Sequence, residues 1–397
     1  ICPTRGNPIV VATTRRDSKK RKPHFLVYGH YDVQPPEPLE LWKTPPFEPC
    51  IRNGRLYGRG ASDNKGQNLA HLKAVEAYLK TGNELPCDIT FVIEGEEEVG
   101  SKNLATFLKA RRKQLACEGV VISDTTMPGP GRPGVTYGLR GIAAMEVKVV
   151  GPSRDLHSGI YGGSLENPAM ALCGMLAQMK DAKGRVTIPG FYDGLETLSK
   201  AERRELAKLP FSEAAYQKHL GVKALTGEVG YTAIERRGCR PTFEINGLTS
   251  GYQGQGSKTI VPSWASVKIT MRLGPGQDPQ KILRAAEARF RALCPPTVRL
   301  EIELGHCGDP YKVDPASPLV KAGLAALRKS FGKEALLTRE GGSIPIVNDF
   351  KRILGADTLL LGLALPDDNL HSPNEKFDIA CYLGGIRMGI QLWQELV

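Results

Sequence analysis

No C-x-x-C pair occurs among the nine cysteines of this 397-residue chain, and their number is odd. Scattered thiols of that kind favour reduced cysteines in a cytosol over a disulfide framework. Long apolar runs are missing too: apolar residues make up 41% of the chain, yet none of their runs approaches the roughly 18 residues that a membrane span needs. No signal peptide is visible, and the first residue is Ile1 rather than methionine, so a true N-terminus with any targeting segment would be missing from these residues. Internal repeats and low-complexity segments are absent. The net charge of +11 raises the question of nucleic acid, and "RRDSKKRK" at 15–22 holds six basic residues and one acid. That run lacks interleaved aromatics on which bases would stack and lies between two apolar strands, so it reads as a solvated hairpin turn. Neither a nucleic acid nor a membrane is expected as a partner.

What is present has the texture of a large α/β protein. A chain of this length exceeds the usual single core and is expected to form one domain with an insertion, or two domains. Apolar, β-branched runs recur at 8–14, 24–29, 87–95 and 119–124. Helical patterns lie between them, one at 68–80 that aligns Leu69, Leu72, Val75 and Leu79 on one face and a second at 101–112. Strand and helix alternation predicts a mixed sheet with helices on both faces. From about residue 138 alternating strands and amphipathic helices ("GIAAMEVKVVG", "WASVKITMRL", "DPQKILRAAEARFRAL") suggest a smaller α+β unit, after which the α/β texture returns with "DTLLLGLAL" at 357–365 and a closing helix near 378–396. The expected division is a discontinuous domain of 1–136 and 308–397 with an insert of 137–307.

Chemistry concentrates where the buried runs end. His30 follows one strand, "EGEEEVGS" at 94–101 follows a second, Asp124 closes a third and His371 lies past a fourth. In open α/β sheets the crevice at the carboxyl ends of the strands is where ligands bind. Asp63, in the Gly-rich "YGRGASDNKGQ" before a helix, can join them. Imidazole and carboxylate without cysteine form the ligand set of a hydrolytic zinc or manganese site. Residues i and i+2 of a strand face the same way, so Asp32 can hydrogen-bond the far nitrogen of His30 and orient its metal-binding one. A lone H-x-D is equally a capped turn, and "EGEEEVGS" is equally an acidic helix start. Of the adjacent Glu97 and Glu98, one can ligate while the other takes a proton from a water.

"GHYDVQP", "LYGRGASDNKG", "EGEEEVGS", "SD" at 123–124, "HSG" at 157–159, "REGGSIP" at 339–345 and "HSPNEK" at 371–376 together resemble the co-catalytic zinc peptidase family of carnosinase-type cytosolic dipeptidases, carboxypeptidase G, acetylornithine deacetylase and succinyl-diaminopimelate desuccinylase. "GHYDVQP" and "EGGSIP" look most like the dipeptidase branch. The resemblance implies two divalent metals, zinc foremost with manganese or cobalt as alternatives. Asp63 would be shared between them, His30 and Asp124 would complete one site, and Glu98 and His371 the other. It implies Glu97 as general base, a cis peptide bond between Asp63 and Asn64, and an inserted domain that serves as lid and dimerisation unit. The family's usual opening helices and loop before the first strand have no counterpart here, which reads as a fragment or a truncated gene product.

Other residues carry two readings each. His157 is a surface turn histidine on sequence alone, whereas the resemblance makes it a catalytic oxyanion donor to the partner subunit of a homodimer. Arg272 is an exposed strand charge or the residue that holds the substrate's terminal carboxylate. Gly341, Gly342 and Ser343 precede an expected helix and can help bind that anion. Thr259 and His306 match further substrate positions, and Glu340 can meet a free α-ammonium group. "GYQGQGSKT" at 251–259 fails as a phosphate loop, because Ser257 separates Gly256 from Lys258. His24, His71 and His219 read as structural or solvated. The expected activity is cleavage of dipeptides, with an N-acyl-amino-acid deacylase or a carboxypeptidase as alternatives and a non-catalytic binding protein as the rival from another class.

Overall fold

A computed structural model of the chain describes residues 1–14, 22–342 and 344–397. The first part runs β1 (Val10–Thr13), β2 (His24–His30), α1 (Gln67–Thr81), β3 (Asp88–Glu94), α2 (Leu104–Ala110), β4 (Gly119–Ile122) and β5 (Gly134–Leu139). The middle part comprises β6 (Gly141–Val150), α3 (Pro168–Leu176), α4 (Lys200–Leu206), α5 (Ala233–Cys239), β7 (Thr242–Ser250), β8 (Trp264–Leu273), α6 (Pro279–Leu293) and β9 (Arg299–Gly308). The chain closes with β10 (Tyr311–Lys312), α7 (Pro318–Phe331), β11 (Leu336–Glu340), β12 (Asp357–Leu361) and α8 (Ile379–Glu395).

The larger sheet is ordered β1-β3-β2-β4-β12-β5-β10, with β11 also pairing β5. Strands β3, β2, β4 and β12 are mutually parallel. All seven residues of β2, "HFLVYGH", are buried, because a central parallel strand is covered on both faces and therefore shows no polar alternation. The chain passes from β2 to β3 on one side and then to β4 on the other. That reversal opens a crevice at the carboxyl end of β2, the position His30 occupies.

Two expectations are corrected here. The basic run does not close a hairpin: β1 pairs β3 antiparallel and β2 pairs β3 parallel, so β3 stands between the strands it was to join. Its residues 15–21 lie outside the described residues. The leucine face of α1 is not the buried one either. Leu69, Leu72 and Leu79 are exposed, and the helix buries Ala70, His71, Ala74, Val75 and Tyr78 instead. The cause is α8, whose Gly385 and Gly389 lie against Ala70 and Ala74, so that small residues on both helices set a close approach.

The smaller sheet is antiparallel, ordered β7-β8-β6-β9. β6 alternates buried and half-buried residues, as expected for a strand with one packed face. Its Met145, Val147 and Val149 share a separate core with Leu172 and Met175 of α3 and Ile282 and Phe290 of α6. The chain leaves the larger sheet after Leu139 and re-enters it at Tyr311. Between these points α4 and α5 pack on β11 of the larger sheet.

Candidate metal centre

Each functional side chain is delivered by a strand end or by a loop clamped to one. His30 is the last residue of β2, and Asp124 lies two residues past β4. Glu97 and Glu98 form a 3-10 turn just beyond β3, closed by Gly100 in a left-handed conformation. Asp63 lies in a turn over Ala61–Gly66 at the start of α1, with a non-helical backbone and a cis bond to Asn64. His371 sits in the loop between β12 and α8.

Asp63 stands between the two histidines. Its Oδ1 lies 3.1 Å from Nε2 of His30, and its Oδ2 lies 2.9 Å from Nε2 of His371. Asp124 Oδ2 is 3.6 Å from His30 Nε2, and Glu98 Oε2 is 3.5 Å from His371 Nε2. Two groups that could each hold a cation result, His30 with Asp63 and Asp124, and Asp63 with Glu98 and His371. Asp32 ties them together: its Oδ1 lies 3.3 Å from Nδ1 of His30, and its Oδ2 accepts the Glu98 N–H at 3.0 Å. The Asp32 carbonyl also lies 3.1 Å from that Nδ1, which favours the tautomer with Nε2 free to ligate.

The electrostatics are those of a cation site. Burial, reinforced by the charge of Asp124, pushes Glu97 up to about 8. Burial raises Glu98 and Asp124 as well. It would push His30 down, but hydrogen bonds to Asp124, Asp32 and Asp63 outweigh it and raise the imidazole. Asp63 is opposed by burial yet held below the usual carboxylate range by His30 and His371. Asp32, Asp63, Glu97, Glu98 and Asp124 confront two imidazoles and the exposed Lys65, a negative surplus that low-dielectric surroundings penalise unless a cation is present. The donor set fits a divalent metal, and Glu98 Oε1 is buried with no hydrogen-bond partner among the described residues.

A family model, Peptidase family M20/M25/M40, matches residues 26–395. The chain belongs to peptidase family M20. It is 33% identical over 388 residues to the Cys-Gly metallodipeptidase DUG1 of Candida albicans, covering 96% of this chain and 79% of that protein. It is 30% identical over 396 residues to the Beta-Ala-His dipeptidase of Homo sapiens, covering 98% and 77% of the two chains. Among solved structures, an M20 family metallo-carboxypeptidase from Sulfolobus solfataricus superposes with a TM-score of 0.86 at 32% identity, covering 100% of this chain and 89% of that one. The M20 peptidases are metal-dependent hydrolases, and this chain is a metallopeptidase of that family.

The M20 centre rests on residues that sequence reasoning overlooked. Glu375 is fully buried and accepts four donors, Arg59 Nη1 at 2.8 Å and the backbone N–H groups of Gly60, Ser62 and Asp63 at 3.0, 2.9 and 3.0 Å. Its neighbour Lys376 pairs with the buried Asp368 at 2.6 Å, and Asp368 in turn accepts from Ser62 Oγ at 2.9 Å. Asn64 donates to Asp124 Oδ1 at 2.9 Å, and Gln34 donates to Glu98 Oε2 at 2.8 Å. The available signal was "HSPNEK", where an acidic residue follows the candidate ligand His371 by four positions inside a polar loop.

The remaining expected residues lie outside this cluster. Among the described residues, no hydrogen bond or ion pair links His157, Thr259 or His306 to it. His157 is exposed and accepts the Gly159 N–H at 3.0 Å. Thr259 is exposed with its carbonyl bound to Ser158, His306 is exposed at an irregularity of β9, and Arg272 is half-buried on β8. Gly342 is exposed, and Ser343 lies outside the described residues. The expected helix after "GGS" runs over Ile346–Asp349 and continues as a π-helical turn over Phe350–Leu354, but its N-cap is Pro345, so Gly341 and Gly342 are not at its N-terminus. Glu340 accepts from Thr126 N–H and Oγ1 at 3.2 and 3.3 Å, and burial raises it. His24 bonds the Ala116 carbonyl and Thr90, His71 is buried against Ser123, and His219 is exposed.

Proposed function

We propose that this chain is a two-metal dipeptidase. The observation that carries the reading is Asp63, with one carboxylate oxygen turned to each histidine. His30, Asp63 and Asp124 would hold one cation and Asp63, Glu98 and His371 the other. Nitrogen and oxygen donors without thiolate suit zinc, with manganese and cobalt as alternatives. Two such cations would polarise the scissile carbonyl and make an attacking water acidic.

The side chains supply the rest. Glu97 makes no side-chain hydrogen bond among the described residues, and the burial that raises it would make its carboxylate a stronger base towards the water once two bound cations hold it ionised. It returns that proton to the amide nitrogen as the C–N bond breaks, and the water oxygen stays in the new carboxylate. Asp32 keeps Nδ1 of His30 protonated and Nε2 directed at Asp63. Arg272, with Thr259, His306, Gly342 and Ser343, is assigned to the substrate's carboxylate end. Glu340 lies on the wall of the cavity that Thr126 also lines, which supports a site for the free ammonium group of a dipeptide.

The exposed His157 suits service to a second subunit. Exposed apolar side chains on the insert, Ile160, Met170, Ile245 and Leu248, and the unpaired outer edge of β7, support a homodimer through that region. Nine free cysteines support a reducing compartment such as the cytoplasm. No helix of the described residues is long and apolar enough to cross a membrane.

The test is hydrolysis by chelator-stripped protein reloaded with zinc or manganese, offered Cys-Gly, β-Ala-His, a tripeptide and an N-acetyl amino acid. The expected result is cleavage of dipeptides only, falling about a hundred- to ten-thousand-fold in Glu97→Gln. Preferential cleavage of the N-acetyl substrate would replace this reading with a deacylase, and a metal-loaded protein inert towards every amide would replace it with a binding protein.

A further inference from the structure

Two cavities meet at the side chains of Tyr216 and Arg237. The first, about 610 Å³, is lined by Arg140, Arg237 and Arg272 among others. The second, about 570 Å³, is lined by Thr126, Arg237 and Glu340 among others. Thr126 lies two residues past Asp124, so the second cavity adjoins the metal cluster. Arg237 belongs to both walls, and so links the cavity that Thr126 and Glu340 line to the one that Arg272 lines.

The surroundings of Arg237 are rich in guanidinium groups. Arg240 is engaged by Glu228 at 2.7 Å through two nitrogens, and Glu244 lies 3.4 Å from Lys180. Burial, aided by the like charges of Arg272 and Arg237, holds the Arg140 guanidinium down to about 10. Arg237 itself is exposed and lies 5.7 Å over the Tyr216 ring; its charge reaches Glu340 on the same wall, but among the described residues it makes no hydrogen bond or ion pair to a carboxylate. It is also fixed close to the turn at Gly341: a Cβ on Gly341 would lie 2.6 Å from the Arg237 carbonyl and 2.7 Å from Arg140 Nη2. Only glycine lets the turn sit this closely on α5.

We propose that Arg237 is a specificity-determining residue that pairs with an acidic side chain on the C-terminal residue of the substrate, so that Xaa-Glu and Xaa-Asp dipeptides are the favoured class. This rests on the dipeptidase reading above. Arg272 takes the terminal carboxylate, and Arg237 on the same wall takes the second anion. The planar fork of arginine matches a carboxylate through two parallel hydrogen bonds, which a neutral amide cannot supply.

The experiment compares Ala-Glu with Ala-Gln, isosteres that differ in charge, on the metal-loaded protein. The expected kcat/KM ratio is about two- to fivefold in favour of Ala-Glu, carried by KM, as befits a solvent-accessible charge pair. That ratio should fall to near one in Arg237→Gln and be partly restored in Arg237→Lys. A ratio near one in the parent protein, or an unchanged ratio in Arg237→Gln, overturns the inference. Calorimetric binding of Ala-Glu, Ala-Gln, N-acetyl-Glu and N-acetyl-Gln to metal-loaded Glu97→Gln protein separates this test from turnover. If only N-acetyl substrates are cleaved, the dipeptidase reading falls. Equal binding of the acid and amide partners then overturns the role of Arg237 as well, and tighter binding of the acid upholds it.

Discussion

Glu375 accepts the backbone N–H of Asp63 at 3.0 Å through the same Oε1 that takes the N–H of Ser62, while its Oε2 takes Gly60 and Arg59. One buried carboxylate thus holds the turn that presents Asp63, and it stands four residues from His371 in the same loop. A glutamine there keeps the volume but offers only one oxygen, so one pair of donors loses its acceptor. Glu375→Gln is expected to weaken metal binding about 10- to 100-fold, as second-layer partners of metal ligands do. Titration of the stripped protein with Co2+, followed by visible absorption, measures this directly, with far-UV circular dichroism as the check on folding. Affinity equal to that of the parent would reduce Glu375 to a partner of Arg59.

Sharing Asp63 between two groups predicts unequal losses of metal. His371→Ala should leave one tightly held metal per chain, and His30→Ala should do the same, because each removes a ligand from one group only. Asp63→Ala should lose both. Metal content after dialysis is read by elemental analysis. Retention of two metals in Asp63→Ala would show that the groups do not share it.

The strand ends were legible because β2, β3 and β4 are buried and their polar residues begin where burial stops. His30, Glu97, Glu98 and Asp124 stand out against apolar runs for that reason. Glu375 was not legible, since three of its four partners are backbone N–H groups about three hundred residues earlier, 312 in the case of Asp63, and a backbone donor leaves no mark in a sequence. The face of α1 misled for a different reason. Periodicity counts large apolar residues, whereas Ala70 and Ala74 are buried because glycines on α8 admit them closely. The insert's own core was readable from the alternation in β6, but the packing of α4 and α5 on β11 required the folded chain.

His71 predicts an acid sensitivity. It is fully buried, and burial lowers its imidazole to about 4 from an ordinary 6.5. A group whose folded value is depressed contributes stability that is present above the unfolded value and is lost as pH falls through the folded one. The window therefore runs from about 6.5 down to 4, and the loss amounts to about 3 kcal/mol. Urea unfolding of metal-free protein at pH 7 and pH 4 should show a drop larger by about that amount in the parent than in His71→Gln. Equal drops would mean that the imidazole reaches water before it protonates.

The contact between α1 and α8 predicts opposite outcomes for two substitutions that conventional hydrophobicity would rank the other way. A Cβ at Gly389 would lie 2.7 Å from the Ala74 Cβ, nearer than two carbons can approach, so the helices must separate or bend. Gly389→Ala gains helix propensity of about 1 kcal/mol, yet overpacking of a close contact costs about 1–3 kcal/mol. The net result is expected to be destabilising, and Gly389→Val more so. Leu79, by contrast, is 57% exposed, and Leu79→Gln should change stability by no more than about 0.5 kcal/mol. Thermal unfolding of metal-loaded protein compares the three. Tolerance of Gly389→Val together with a large loss in Leu79→Gln would mean that the leucine face, and not the alanine face, is the covered side of α1 in solution.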